Sequence, residues 1–325
     1  MEVHQLQMLR ELGDLGSVKA VAETLMVTPS AVSQQLALLQ KSVEVPLTRK
    51  EGRALVLTDA GRVLADAGAA VVSAMADARA AIGAFHDSPG STVTVCAFHS
   101  AGQALFAPLV ALLGRHGGTG AGGTCAGGPG SAVPVQGGHV PRLKLADEDV
   151  AQEDFPGLAA RYDLVLAHRM EHSPEWPADK VAVIPLADEP LDVALPAGHP
   201  LSAHRELTPD DVVGQPWVTS RAGYSPADVL AAVGAVSGRP AEVLHRINDY
   251  STVASLVAAG GAIGLLPRFT ARRGLHAGVV LRPLAGVNSV RKIDILARPE
   301  TLKRKSVMTV CESLQAVMAE LAGAP

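Results

Sequence analysis

Apolar residues near the start of the chain recur at helical spacing: Val3, Leu6, Leu9 and Leu12, with Gly13 expected to end that helix. Ser17 stands where it can cap a second helix that carries Val21, Ala22 and Leu25 on one face. Thr28 then reads as a helix cap with Pro29 at the first helical position, a strong start signal. The run 30–40 continues that third helix and buries Ala31, Val32, Leu36 and Leu39. Two short helices meeting across Met26 and Val27 have the spacing of a helix-turn-helix. Val45, Pro46 and Leu47 lead into 48–57, where two extended pieces around a glycine-containing turn predict a hairpin with basic residues at its tip. Thr58 and Asp59 open an alanine-rich segment running to about His86, roughly 43 Å long as a helix. Its apolar members Val63, Ala67, Val71, Ala74, Ala78 and Ile82 recur at steps of three or four, a stripe that wants a partner helix. Residues 87–90, Asp-Ser-Pro-Gly, then break the pattern.

From Thr92 the rhythm changes. Residues 93–98 read as a strand with a helix over 103–113 behind it, and further strands are expected at 162–167, 191–195 and 263–266. Helices are expected over 225–237, 249–259 and 306–321, so strand and helix alternate and imply an α/β domain with a mostly parallel sheet. Between them, residues 114–138 hold 11 Gly among 25 and carry no hydrophobic period. That composition predicts a flexible, dispensable insert, a tolerated insertion or a local disturbance of the reading frame, with 140–145 still able to supply a strand behind it. Deleting 117–138 tests dispensability: loss of folding would refute it.

Length and composition narrow the class. At 325 residues the chain has room for about two domains and a sizeable core. A hydrophobic share of 48% against 18% charged excludes a disordered chain. No apolar run approaches the ~18 residues of a membrane span, and the first residues lack the features of a signal peptide, so a cytoplasmic protein without membrane contact is expected. Cys96, Cys125 and Cys311 are odd in number and far apart, which argues against a disulfide framework and for inert thiols. The net charge of −4 advertises no nucleic-acid partner; the basic excess is local, five Lys or Arg against three acidic residues over 41–62.

The chemistry of that region points to DNA nonetheless. The third helix presents Ser30, Ser33, Gln34 and Gln35 opposite Val32, Leu36 and Leu39. Short hydroxyl and amide side chains near a helix N-terminus suit a major groove, where Gln can bond an adenine edge with two hydrogen bonds. The free amides of the helix start suit a phosphate. Arg53 at the hairpin tip is placed for the adjacent minor groove, with Arg49 and Lys50 on backbone phosphates.

Taken in order, the segments 20–25, 28–36, 45–49 and 57–61 resemble those of the LysR-type transcriptional regulators. The resemblance extends over the whole chain, through the long helix, the strand at Val93, the His199-Pro200-Leu201 step and the run 257–267. It implies a winged helix-turn-helix over 1–65, a dimerising helix over 58–86, and a two-lobed effector domain over 91–322 that resembles periplasmic binding proteins. Lobe I would comprise 91–161 and 268–322, and lobe II 162–267. The family's DNA readers fall on Thr28, Pro29, Ser30, Ser33 and Gln34 plus the wing Arg53. Gln34 stands where Arg is frequent and Thr48 where Phe is usual, which implies a different base preference and a looser wing. By position, the resemblance assigns effector contacts to His99, Ser100, His168, Thr219, Ser220 and Asn248.

The implied partners are double-stranded DNA, a second copy of the chain in a dimer or tetramer, a small-molecule effector and RNA polymerase; no cofactor or metal is implied. A ligand-independent repressor with a degraded sensor lobe is the alternative. Two enzyme-like matches are set aside. His168-Arg169-Met170-Glu171-His172 fits an inverted zinc-hydrolase pattern, but it follows a strand, runs into Ser173-Pro174 and is expected to be a crossover loop. Gly118, Gly120 and Gly123 fit G-x-G-x-x-G with neither a preceding strand nor a following helix. No nucleophile–base pair appears, so no enzyme is expected.

Overall fold

The computed structural model describes residues 1–52, 54–83, 91–117, 140–272 and 275–323. The bulk of the glycine-rich segment, with Cys125, Arg53 and 84–90, lies outside them.

Three helices, α1 (Val3–Leu15), α2 (Val18–Thr24) and α3 (Pro29–Lys41), pack Leu9, Leu12, Val21, Val32 and Leu39 into one core. The first helix does not end at Gly13. It continues to Leu15 and stops at Gly16, whose φ of 68° takes the left-handed step glycine permits. Gly13 serves packing instead: a Cβ there would meet Leu57 Cδ1 at 2.8 Å. Ser17 and Thr28 cap α2 and α3 as their sequence positions predict, accepting from the amides of Ala20 and Ala31. A two-stranded hairpin follows, β1 (Thr48–Glu51) with β2 (Ala54–Leu57). Helix α4 (Asp59–Gly83) locks the hairpin's base, because Gly61 lies so close to Leu47 that a Cβ would stand 2.0 Å from its carbonyl oxygen. Along α4, Val63, Val71 and Ile82 of the apolar stripe remain exposed in the single chain, as does Met75.

Among the described residues, the rest builds two lobes on a nine-stranded sheet. Lobe I holds β3 (Thr92–Ala97), β4 (Arg142–Asp147), β5 (Leu164–Met170), α5 (His99–Gly117) and α10 (Lys305–Gly323). Lobe II holds β7 (Pro216–Thr219), β8 (Glu242–Arg246), β9 (Ile263–Pro267), α8 (Ser225–Val236) and α9 (Tyr250–Ala258), with the short α6 (Phe155–Leu158) in lobe I and α7 (Pro209–Val212) in lobe II. Two strands cross between them: the 15-residue β6 (Ala182–Pro196) and β11 (Val290–Ala297).

The sheet is mixed rather than mostly parallel. Pairs β3–β4, β3–β5, β7–β8 and β7–β9 are parallel, whereas β11–β5, β11–β6 and β6–β9 are antiparallel, because the crossing strands must run out and back. The lobe limits expected from sequence also shift. Leu164 to Ala167 of β5 are buried in the lobe I core, so lobe II does not begin at 162. Strand β10 (Val279–Arg282) pairs with the far half of β6 and its Val279 joins lobe II, so the chain touches lobe I at Phe269, passes back to lobe II along β10 and re-enters lobe I along β11.

Candidate functional site

On the small domain, the N-terminal turn of α3 is solvent-facing. Thr28, Pro29, Ser30, Ser33 and Gln34 are exposed, while Val32, Leu36 and Leu39 are buried on the opposite side. Ser33 Oγ donates to the Pro29 carbonyl at 2.9 Å and Ser30 Oγ lies 3.0 Å from Thr28 Oγ1, which orders the hydroxyls and leaves each an acceptor. Gln35 turns away from this row: its Oε1 accepts from Gln5 Nε2 at 3.1 Å and lies 2.9 Å from His4 Nε2. Met26, with φ of 53°, takes the left-handed step between α2 and α3. In the wing, Lys50 is exposed and Arg49 reaches Glu51 at 2.5 Å, a surface pair a phosphate can displace.

Between the lobes, the sequence-assigned residues divide. Ser100 is buried at the start of α5, with Thr270 Oγ1 and an Arg291 nitrogen each 3.2 Å from its Oγ. His99 stands at the cleft mouth between carboxylates of opposite lobes, Asp249 at 3.2 Å and Asp147 at 3.6 Å. Asn248 donates to Asp149 across the same mouth at 3.4 Å and accepts the Arg221 amide at 3.0 Å. Ser220 caps α8 by accepting the Ala227 amide, and Thr219 lies on the α8 side of the sheet, lining a different cavity.

His168 is in β5, not in a loop, because the strand runs on to Met170 with His168 and Met170 both buried. Its ring is wedged 4.7 Å from Phe98 and 5.3 Å from Phe155, and Nδ1 lies 3.2 Å from Ser225 Oγ. Burial, with a smaller contribution from Arg291, holds its pKa well below the ordinary 6.5. A depressed histidine pKa stabilises the fold above about 6.5, and that contribution is lost as pH falls because the unfolded chain takes the proton first. We expect the unfolding free energy to drop by up to roughly 1.4 kcal/mol per pH unit below that point, and His168→Gln to flatten the slope in urea titrations between pH 7.5 and 5.

At the floor of the cleft, beside Ser100, lies a charged pair that the sequence does not announce. Arg291 of β11, 1% exposed, faces Glu189 of β6, 0% exposed, with Nε and a terminal nitrogen 3.0 and 2.6 Å from Glu189 Oε2. Glu189 also accepts the amides of Phe269 and Thr270 at 2.8 and 2.5 Å. The guanidinium sits 4.9 Å from the Phe98 ring centre and 5.8 Å from that of Tyr250, one ring from each lobe. Charged residues within two long strands were the available signal, but each strand carries several of them and this pairing spans 102 residues.

An exposed polar helix start on a three-helix domain, and two lobes joined by crossing strands, match known proteins. Residues 145–319 match the family model described as LysR substrate binding domain, and residues 3–62 that of the bacterial regulatory helix-turn-helix protein, lysR family. The chain belongs to the LysR family of transcriptional regulators.

It is 22% identical over 306 residues to a probable RuBisCO transcriptional regulator of Synechocystis sp., covering 93% of this chain and 82% of that protein. It is 23% identical to the regulator CysL of Bacillus subtilis over 88% of each chain. Among solved structures, a full-length OxyR variant of Pseudomonas aeruginosa superposes with a TM-score of 0.66 at 19% identity, over 99% of this chain and 96% of that one. Full-length BenM gives 0.52 at 16% identity, over 100% and 99%; at such identities the likeness is one of fold. This LysR-family member is thus a DNA-binding transcriptional regulator with an effector-binding domain. Among the described residues no helix is long and apolar enough to cross a membrane.

Proposed function

We propose that α3 enters the major groove of double-stranded DNA with Thr28, Pro29, Ser30, Ser33 and Gln34 toward base edges and the leading phosphate. Arg49, Lys50 and Arg53 of the wing then hold the flanking backbone and the neighbouring minor groove. The supporting observation is the exposed row on α3: Gln34 is exposed and makes no described hydrogen bond, so both ends of its amide are available to a base. The unpartnered stripe of α4 supports a dimer or tetramer, and paired α3 helices would then read two half-sites about one helical turn apart.

The interlobe cleft is the proposed effector site, with His99 and Asn248 at its mouth and Ser100 and Thr270 at its floor. An effector that binds one lobe arrangement better than another shifts the subunits, and with them DNA bend and contact with RNA polymerase. The chain would work in the cytoplasm and without catalysis. Gln34→Ala is expected to relax preference at one base position by about 1–3 kcal/mol while leaving affinity for random DNA unchanged. Fluorescence anisotropy on matched and base-substituted sites measures it; equal losses on specific and random DNA would remove Gln34 from the readout.

A further inference from the structure

Where the start of α8 meets lobe I, the two lobes are held together by a short set of polar bonds. Ser225, the first residue of α8, lies 3.2 Å from His168 of β5, and Gln152 donates to Asp228 in the same turn at 3.3 Å. Nearer the mouth, the Tyr224 hydroxyl donates to the Asp149 carbonyl at 3.3 Å and Asn248 to the Asp149 side chain. Helices α8 and α9 pack into lobe II cores and α5 into that of lobe I, so among the described residues no apolar core joins these helices across the cleft. A polar junction between two separately built cores can part without unfolding either.

His168 is buried in that junction, 5% exposed, and histidine changes charge near neutral pH. Its surroundings oppose a proton. Phe98, just past β3, and Phe155 of α6 meet the ring edge to face, and Ile293 of β11 stands opposite it in the sheet. Ser225 brings the positive end of the α8 dipole to the imidazole. The charge that acts on the ring is the Arg291 guanidinium, which Glu189 of β6 holds and Tyr250 of α9 faces. Among the described residues no carboxylate bonds the ring. Burial first, and Arg291 second, hold the proton off while the junction is closed. With α8 drawn back and water at the ring, the ordinary affinity returns, so a falling pH favours the parted state.

We propose that His168 makes the lobe junction a proton-operated catch: as pH falls, the start of α8 parts from β5 and the cleft opens with both lobes still folded. What this does to effector binding rests on the cleft reading above; the parting does not, and is measured without an effector. His99 at the mouth works in the opposite sense, because a charged His99 is drawn to Asp147 and Asp249 of opposite lobes and tightens the mouth.

Hydrogen exchange of the full-length protein at about pH 7.5 and 5.5, with rates corrected for the intrinsic effect of pH, reads the parting. Corrected exchange should rise about tenfold at 224–229 and at Met170, whose amide is tied to Gln152 in the junction, the factor for one pH unit below an open-state histidine of about 6.5. Exchange there should be at least tenfold faster than in α10 at both pH values and indifferent to about 1 M urea, whereas α10 exchanges through whole-protein unfolding and accelerates in urea. His168→Gln should abolish the pH response, and so should His168→Phe, which keeps a ring between Phe98 and Phe155. His99→Gln should retain it. A wild-type response under twofold, a response kept in both His168 variants, or a start of α8 that exchanges at the rate and with the urea dependence of α10 would overturn the proposal.

Discussion

Replacing Arg291 with leucine is expected to cost about 3–5 kcal/mol of stability, the range for removing one member of a buried ion pair. The loss arises less from the missing attraction than from Glu189, which stays buried with its carboxylate unneutralised at the junction of the crossing strands. Glu189 retains its bonds to the Phe269 and Thr270 amides, so the segment returning from lobe II remains tied to a charge with no counterion. Arg291 also bridges Ser100 and Thr270, and its removal leaves Ser100 with Thr270, whose hydroxyl keeps Glu189 Oε2 at 3.1 Å. Glu189→Gln added to Arg291→Leu should recover about half of the loss, since the amide oxygen still accepts both backbone N–H groups and no charge is buried. Urea unfolding of the full chain, followed by tryptophan fluorescence from Trp176 and Trp217, measures both. A single-variant loss under about 1 kcal/mol would show that water reaches the pair, contrary to its complete burial here.

Arg298→Ala carries the second large effect, and it concerns how the DNA-binding domain is held. Arg298 lies just beyond β11 and grips both carboxylate oxygens of Glu11 on α1, with Asp14 at 3.0 Å. Around this pair, Arg10 meets Glu300, Lys180 approaches Asp14 at 3.4 Å and Lys303 approaches Asp77 of α4 at 2.8 Å. Glu11 is 1% exposed, and burial pushes its carboxyl pKa up in spite of Arg298. Without Arg298, Glu11 keeps only the more distant Arg10, at 3.9 Å, and the docked arrangement should weaken by about 3 kcal/mol, while each domain keeps its own core. Hydrogen exchange should then show lost protection in α1 and in 298–304 but not in α3 or α9. Exchanging the charges, Glu11→Arg with Arg298→Glu, should restore much of it. Unchanged protection in Arg298→Ala would mean that the packing of α1 against lobe I, not the ion pairs, fixes the domain.

The contrast between what was legible in the sequence and what was not follows the range of the interactions. Local signals were reliable where one residue decides a backbone state: Ser17 and Thr28 as caps, Pro29 at a helix start, Gly52 in the hairpin turn. Gly13 misled because glycine serves close packing as well as termination, and only the approach of Leu57 reveals which. Strand β6 was read only in its last third, since Pro185 and Pro190 interrupt the pattern. Those prolines are tolerated opposite Asp294, beside a register shift, and opposite Val290 at the strand's end. The sheet's mixed direction and the lobe limits depend on where the chain crosses, which no local period encodes. At the candidate sites, the α3 row was visible from its period, whereas Gln35 was withdrawn by His4 and Gln5, about 30 residues earlier. The Arg291–Glu189 pair, the cleft's most buried charges, needed the fold itself to bring β6 and β11 together.

The central claim, that this LysR-family protein reads a two-part DNA site through α3, is tested most directly by selection of bound duplexes from a random DNA library. The full-length protein should enrich a near-palindromic site whose half-sites are centred about one helical turn apart, at a salt concentration where random competitor is excluded. Gln34→Ala should enrich the same spacing with one base position per half-site relaxed. Failure to enrich any sequence over random competitor, or enrichment of a site unchanged in Gln34→Ala, would contradict the assignment of α3 as the reading element.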